Sequence, residues 1–203
     1  MKGLASNVRG LLLCLLWLPL TAFGGAQKYE LLSDSVRTRM SKLVSEKAVP
    51  AMHFSSTSDA QRWLDSMDTR LAKRIPDRKQ RLELLRTVHY EALRARLDPQ
   101  LVLGVIEVES GFRKYAVSKS GARGYMQVMP FWIKLIGQPN SNLFHLRTNL
   151  AFGCAILRHY VDEEKGDYFR ALGRYNGSLG QPEYPNMVLA AWRGRWKYDG
   201  PNA

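Results

Sequence analysis

The stretch "LDPQLVLGVIEVESG", Leu97–Gly111, limits the possible folds of this chain more than any other. Asp98 is placed as an N-cap, Pro99 at the first helical position and Gly111 as the stop, which predicts a helix of about twelve residues. Apolar residues occupy nearly every face of it, so in water it is stable only with neighbours on all sides. It has to be the centre of a helical assembly. Glu107 and Glu109 interrupt the apolar run. Residues two apart on a helix point about 200° from each other, so the two carboxylates cannot share one cleft.

The flanking sequence supplies the neighbours. In "SSTSDAQRW", Ser58 and Gln61 match a capping box, and Trp63, Leu64, Met67 and Leu71 follow at helical spacing. Pro76 and Asp77 close that helix and open another, in which Leu82, Leu85, Val88, Tyr90, Leu93 and Leu97 form the buried stripe. Residues 27 to about 56 read as one frayed helix and a linker broken by Pro50. Beyond the central helix, "SKSGARGYMQVMPF" is punctuated by Gly121 and Gly124, with a short ribbon expected within 115–128. Pro130 opens a short helix through Ile136, further helices fit Leu146–Glu164 and "FRALGRYNG" up to Gly177, and helical character resumes behind Pro185. Strand alternation is nearly absent and no repeat occurs, so the chain reads as mainly α. Its 203 residues have room for one domain with a core and a short extension.

Residues 1–26 carry only Lys2 and Arg9 around the apolar "LLLCLLWLPL", followed by small residues, and read as a secretory signal peptide. That apolar run is shorter than the ~20 residues that span a bilayer. Retention as an anchor is the alternative. Export makes the protein periplasmic. Without Lys2 and Arg9 the formal charge of +12 falls to +10, and the density peaks at 70–96, where nine Lys or Arg face only Asp77, Glu83 and Glu91. Such a surface seeks a polyanion. In an exported monomer this means cell-wall polymer, a membrane surface or secretion machinery, not nucleic acid; the alternative is a solvated helix face. Cys14 departs with the signal peptide, leaving Cys154 without a disulfide partner and no set of cysteines for a metal.

Glu109 lies at the C-terminal edge of the central helix, where a helix can open onto a groove, whereas Glu107 is expected to be solvated or salt-bridged. Ile106, Val108 and Phe112 desolvate Glu109, and the negative helix end disfavours a second negative charge, so its pKa is expected to rise. General acid catalysis of glycoside cleavage requires such a group. Most glycosidases use two carboxylates, yet no Asp or Glu occurs between Glu109 and Asp162, and Asp162, Glu163, Glu164 and Asp167 form a charged run expected to be a solvated helix end. A lone acid suits a substrate that brings its own nucleophile. Cys154 and His159 do not share a helical face, His89 lies in no zinc-protease motif and no G-x-S-x-G occurs. Gly121 and Gly124 permit close backbone approach to a ligand, and the Gln127 amide can pair with an N-acetyl group through donor and acceptor.

"ESGF", "AVSKSGARGYMQVMP", "NLAFGCAIL" and "ALGRYNGS" together resemble, in order and approximate spacing, the soluble-type lytic transglycosylases, whose catalytic domain is related to goose-type lysozyme. The resemblance covers about residues 98–190. It implies a mainly α, lysozyme-like catalytic domain over 98–200, with 27–97 as a helical N-terminal extension. It also implies Glu109 as the catalytic acid and Ser118 as a serine that helps hold its carboxyl. Gly124 and Gln127 line the sugar groove, Met129 packs beneath it, and Tyr175 and Asn176 form the "YN" motif, with the tyrosine hydroxyl close to the acid. Tyr125 stands where the family usually has leucine, which bears on subsite shape. The implied substrate is the peptidoglycan strand, cut between N-acetylmuramic acid and N-acetylglucosamine to leave a 1,6-anhydromuramyl end without metal or organic cofactor. The alternatives are a hydrolase of the same bond and a non-catalytic wall-binding or secretion-associated protein.

Overall fold

The computed structural model describes residues 27–45, 52 and 54–200, so the signal peptide and the Pro50 linker lie outside the described residues. The described chain is helical: α1 (Asp34–Ser45), α2 (Thr57–Leu71), α3 (Arg78–Arg94), α4 (Pro99–Ser110), α5 (Phe131–Ile136), α6 (Leu146–Glu163), α7 (Tyr168–Asn176) and α8 (Glu183–Ala190). A π-helical turn, 191–195, prolongs α8. The expected ribbon is reduced to single antiparallel bridges, Val117 with Arg123 and Arg123 with Val128.

α4 is the central helix that its sequence demands. Asp98 caps it by accepting from the Gln100 N–H, and Gly111 ends it in the left-handed region at φ 57°. Every residue from Pro99 to Ile106 is buried. α3, α8 and the π turn pack on it, while α6 packs on α1, α3 and α7. α8 crosses α4 closely at Gly104, where a Cβ would stand 3.2 Å from the Val188 carbonyl oxygen and 3.3 Å from the Trp192 nitrogen. Trp192 Nε1 donates to Asp98 Oδ2 at 2.7 Å, fixing the end of the chain to the start of α4. That register sets which α8 side chains reach the far end of α4.

α1–α3 share this core: Met40, Trp63 and Leu85 belong to the same buried cluster as Leu101, Leu172 and Trp196. The N-cap of α2 is Ser56, whose hydroxyl accepts from the Asp59 N–H, and not Ser58. The three-residue spacing that matters is Ser56 to Asp59, because Gln61 points along the helix and donates to Asp65. The basic stretch 70–96 is largely consumed by the fold. Arg70 donates to the carbonyls of Arg195 and Lys197, Arg74 pairs with Glu107, Arg78 and Arg81 hold Asp68, and Arg94 pairs with Glu91. Arg74 and Arg78 are exposed despite their pairing, and Lys73, Lys79, Arg86 and Arg96 are the other exposed cations of the stretch.

Candidate functional site

Glu109 occupies the last turn of α4 and is 3% exposed. Tyr184, on the first turn of α8, donates its hydroxyl proton to Glu109 Oε1 at 2.6 Å. Burial pushes the Glu109 carboxyl up to about 8, and the Tyr184 hydrogen bond, which favours the anion, offsets only part of the rise. The carboxyl is therefore mostly protonated at neutral pH. With Tyr184 donating to Oε1, Oε2 is the oxygen left to carry the proton. Tyr184 was not among the residues singled out from sequence: it lies 75 residues on, in "PEYP", and only the close crossing of α4 and α8 carries it there.

Glu107 points the other way. Its carboxylate accepts from Arg74 Nη2 at 2.6 Å and Trp196 Nε1 at 2.7 Å and is paired with Arg195. It ties α4 to the α2–α3 connection and to the C-terminal turn. The later acids are also engaged: Asp162 with Arg158 and Arg39, Glu164 with Arg170 and Arg174, and Asp167 as the N-cap of α7. Asp162, Glu163 and Asp167 are exposed, as a solvated helix end should be, whereas Glu164 is half-buried and pairs with two arginines.

The loop from Ala116 to Met129 is linked to the surroundings of Glu109 through Tyr175 and is held from behind by Asn149 on α6. Asn149 is fully buried. Its Oδ1 accepts from the Met126 N–H at 2.8 Å, and its Nδ2 donates to the carbonyls of Arg123 and Leu143 at 2.8 and 2.9 Å. Gly124 sits against this amide at φ 76°, where a Cβ would fall 2.4 Å from Asn149 Nδ2. The close approach that Gly124 permits is to the chain itself; a ligand was expected there. Tyr175, fully buried on α7, donates its hydroxyl to the Met126 carbonyl at 2.7 Å, so its hydrogen bond supports the loop while the one to Glu109 comes from Tyr184. The two sites remain close, since the Glu109 charge contributes to the raised pKa of both tyrosines, behind their burial.

The other sequence-derived residues have definite tasks in this loop. Gln127 is 2% exposed at φ 48°, and its Nε2 donates to the carbonyls of Gly124 and Ala116 at 2.9 and 3.1 Å. These bonds offset a left-handed backbone costing about 1 kcal/mol, and they commit both amide hydrogens that were expected to face sugar. Ser118 is half-buried, and its hydroxyl accepts from the Ala122 N–H, closing the turn where the Glu109 carboxyl was the expected partner. Met129 is half-buried against the core, whereas Met126 is the fully buried methionine under the turn. Asn176 is buried at the C-terminal end of α7.

A cleft of about 430 Å³ is lined by Gln127 together with Arg113, Lys114, Tyr115, Ala116 and Val117. Tyr115, 70% exposed at its edge, offers a ring face of the kind that stacks on sugars; no motif drew attention to it. A cavity of about 760 Å³ between α1, α3 and α6, lined by Arg39, Lys42, Arg94, Arg96 and Arg158, lies on other elements and includes none of these residues. Among the described residues no cluster of His, Cys, Asp or Glu could hold a metal ion. None of their helices is long and apolar enough to cross a membrane.

Comparison with known proteins agrees with this arrangement. Residues 86–184 match the model of the transglycosylase SLT domain. The match begins within α3 and ends on Tyr184. A transglycosylase of Enterobacteria phage PRD1 is 34% identical over 115 residues, 53% of this chain and 42% of the phage protein. Membrane-bound lytic murein transglycosylase C of Actinobacillus pleuropneumoniae serotype 5b (strain L20) is 48% identical over 52 residues, 26% of this chain and 13% of its own. The same-named protein of Histophilus somni (strain 2336) is 34% identical over 100 residues, 41% of this chain and 28% of its own. The chain thus spans less than half the length of each. With a helical fold built around a buried acid and a family match that ends on the residue bonded to it, residues 86–184 belong to the transglycosylase SLT domain family.

Proposed function

We propose that this protein is a peptidoglycan lytic transglycosylase that cleaves the β-1,4 bond between N-acetylmuramic acid and N-acetylglucosamine, with Glu109 as its single acid and base. The observation that carries the proposal is a buried carboxyl held protonated near neutral pH, while Glu107, Asp162 and Glu164 are paired with arginines and Asp167 caps a helix. The Oε2 proton passes to the glycosidic oxygen as its bond to C1 breaks, and the carbonyl oxygen of the sugar's own N-acetyl group stabilises C1. The resulting Glu109 carboxylate takes the proton of the muramyl 6-hydroxyl, and O6 closes on C1 to give the 1,6-anhydro ring. Tyr184 stabilises the carboxylate between the two steps, as a hydrogen bond to the charged form must. No cofactor takes part.

Gly124, Gln127, Met129, Tyr175 and Ser118 then position the loop that forms one wall of the groove, and Asn176 anchors the end of α7. Residues 98–200 form the catalytic domain and 27–97 its helical extension. The protein acts as an exported, periplasmic monomer, whose exposed cations in 70–96 contact a membrane surface or secretion machinery. Mass spectrometry of muropeptides released from purified sacculi tests the chemistry. Anhydromuramyl ends, lighter by one water, are expected, and reducing ends would make the protein a hydrolase of the same bond.

A further inference from the structure

Gln27 precedes every helix of the described residues, yet it is 4% exposed. Its carboxamide is inserted at the 116–129 loop: Oε1 accepts from the Met129 N–H at 3.2 Å, and Nε2 reaches the Gln127 carbonyl oxygen at 3.5 Å. The same side chain hydrogen-bonds the Tyr175 hydroxyl, which lies within range of the Glu109 charge. Two residues on, the Tyr29 ring meets Phe131 edge to face at 5.7 Å, and Glu30 reaches Arg174 at 3.6 Å. The residues before α1 are therefore fastened across this face of the domain, although Tyr29 itself is 60% exposed.

A carboxamide offers one carbonyl acceptor and N–H donors on a single plane, and the acetamido group of an amino sugar offers the same pairing. Gln27 thus satisfies a backbone donor and acceptor, Met129 N–H and Gln127 C=O, that an acetamido group could satisfy instead. Glu109, at 3% exposure, is closed to a sugar chain in this arrangement. We infer that residues 27–30 form a displaceable plug in which the Gln27 side chain stands in for a substrate acetamido group, so that glycan must expel it before reaching Glu109. This inference rests on the glycan-cleaving function proposed above. Because a few neutral hydrogen bonds, one exposed ring and one partly exposed ion pair hold the plug, it weakens glycan binding by a modest factor and does not abolish it.

Calorimetric binding of tri-N-acetylchitotriose to the full chain, and to its Gln27→Ala and Tyr29→Ala variants, tests the plug. Losing one or two hydrogen bonds on the closed side should tighten binding about three- to tenfold in Gln27→Ala. Tyr29→Ala, which leaves the amide in place, should shift affinity in the same direction by less, and the thermal midpoint of each variant should fall slightly, because the contacts removed also hold the closed state together. Equal or weaker binding by Gln27→Ala, or no binding by any form, overturns the plug. Turnover of sacculi is read separately. A Gln27→Ala chain that binds more tightly yet cuts nothing keeps the plug and removes the catalytic proposal.

Discussion

At the scale of single residues, the behaviour of Glu109 follows from two opposed effects of known sign. Removing the carboxyl from water favours its neutral form, Tyr184 favours the anion, and the first outweighs the second. Tyr184→Phe removes only the opposing effect, so the pKa should climb further and the alkaline limb of the pH–rate profile should move above pH 8. A fall in rate of about tenfold accompanies it, set by the loss of one hydrogen bond to a charged group. A profile that stays in place would mean that Tyr184 serves packing alone. Stability obeys the same balance. With a folded pKa near 8 against an unfolded value of 4.5, the native state binds more protons between those limits, so its stability declines as pH rises through that window. Glu109→Gln abolishes the decline. Its unfolding free energy should exceed the wild-type value by a margin that widens from pH 5 to pH 8, reaching on the order of a few kcal/mol, as urea denaturation at each pH would show.

At the scale of elements, the site is an arrangement of one helix end, one loop and one crossing helix, and these differ in how far the sequence announces them. The bounds of α4 are legible because Asp98, Pro99 and Gly111 act within one or two residues of themselves, and its central place follows from having no polar face. The salt-bridged state of Glu107 and the raised pKa of Glu109 follow from the same local pattern. The partner of Glu109 does not. Tyr184 arrives through tertiary packing at Gly104, and nothing in "PEYP" records it. The motif residues Gly124 and Gln127 stood out as a group, but their hydrogen bonds turn inward, because a loop without sheet partners must satisfy its own buried amides. Asn149 performs most of that task. Asn149→Ala leaves the Met126 N–H and the Leu143 carbonyl unpartnered and takes one of two donors from the Arg123 carbonyl, and should destabilise the fold by roughly 3 kcal/mol, measured by urea denaturation, with turnover lowered even at temperatures where the variant is folded. A loss below about 0.5 kcal/mol would show that water replaces the amide without penalty.

At the scale of the whole molecule, basic charge and catalytic architecture are coupled. Arginines of the 70–96 stretch brace Asp68, Glu91 and Glu107, and Arg70 holds the C-terminal turn, so a composition that suggests a polyanion-binding surface is in large part structural. This bracing holds Glu107 on the far side of α4 from Glu109. Turnover of purified sacculi by Glu109→Gln and Glu107→Gln, compared with wild type at pH 6 and corrected for folded fraction, tests that division most directly. The expected result is a loss of at least about 10²–10⁴-fold in Glu109→Gln, against near wild-type turnover in Glu107→Gln despite a melting temperature lowered by the loss of its ion pairs. Sustained turnover by Glu109→Gln, or its collapse in a well-folded Glu107→Gln, would contradict the assignment of the acid.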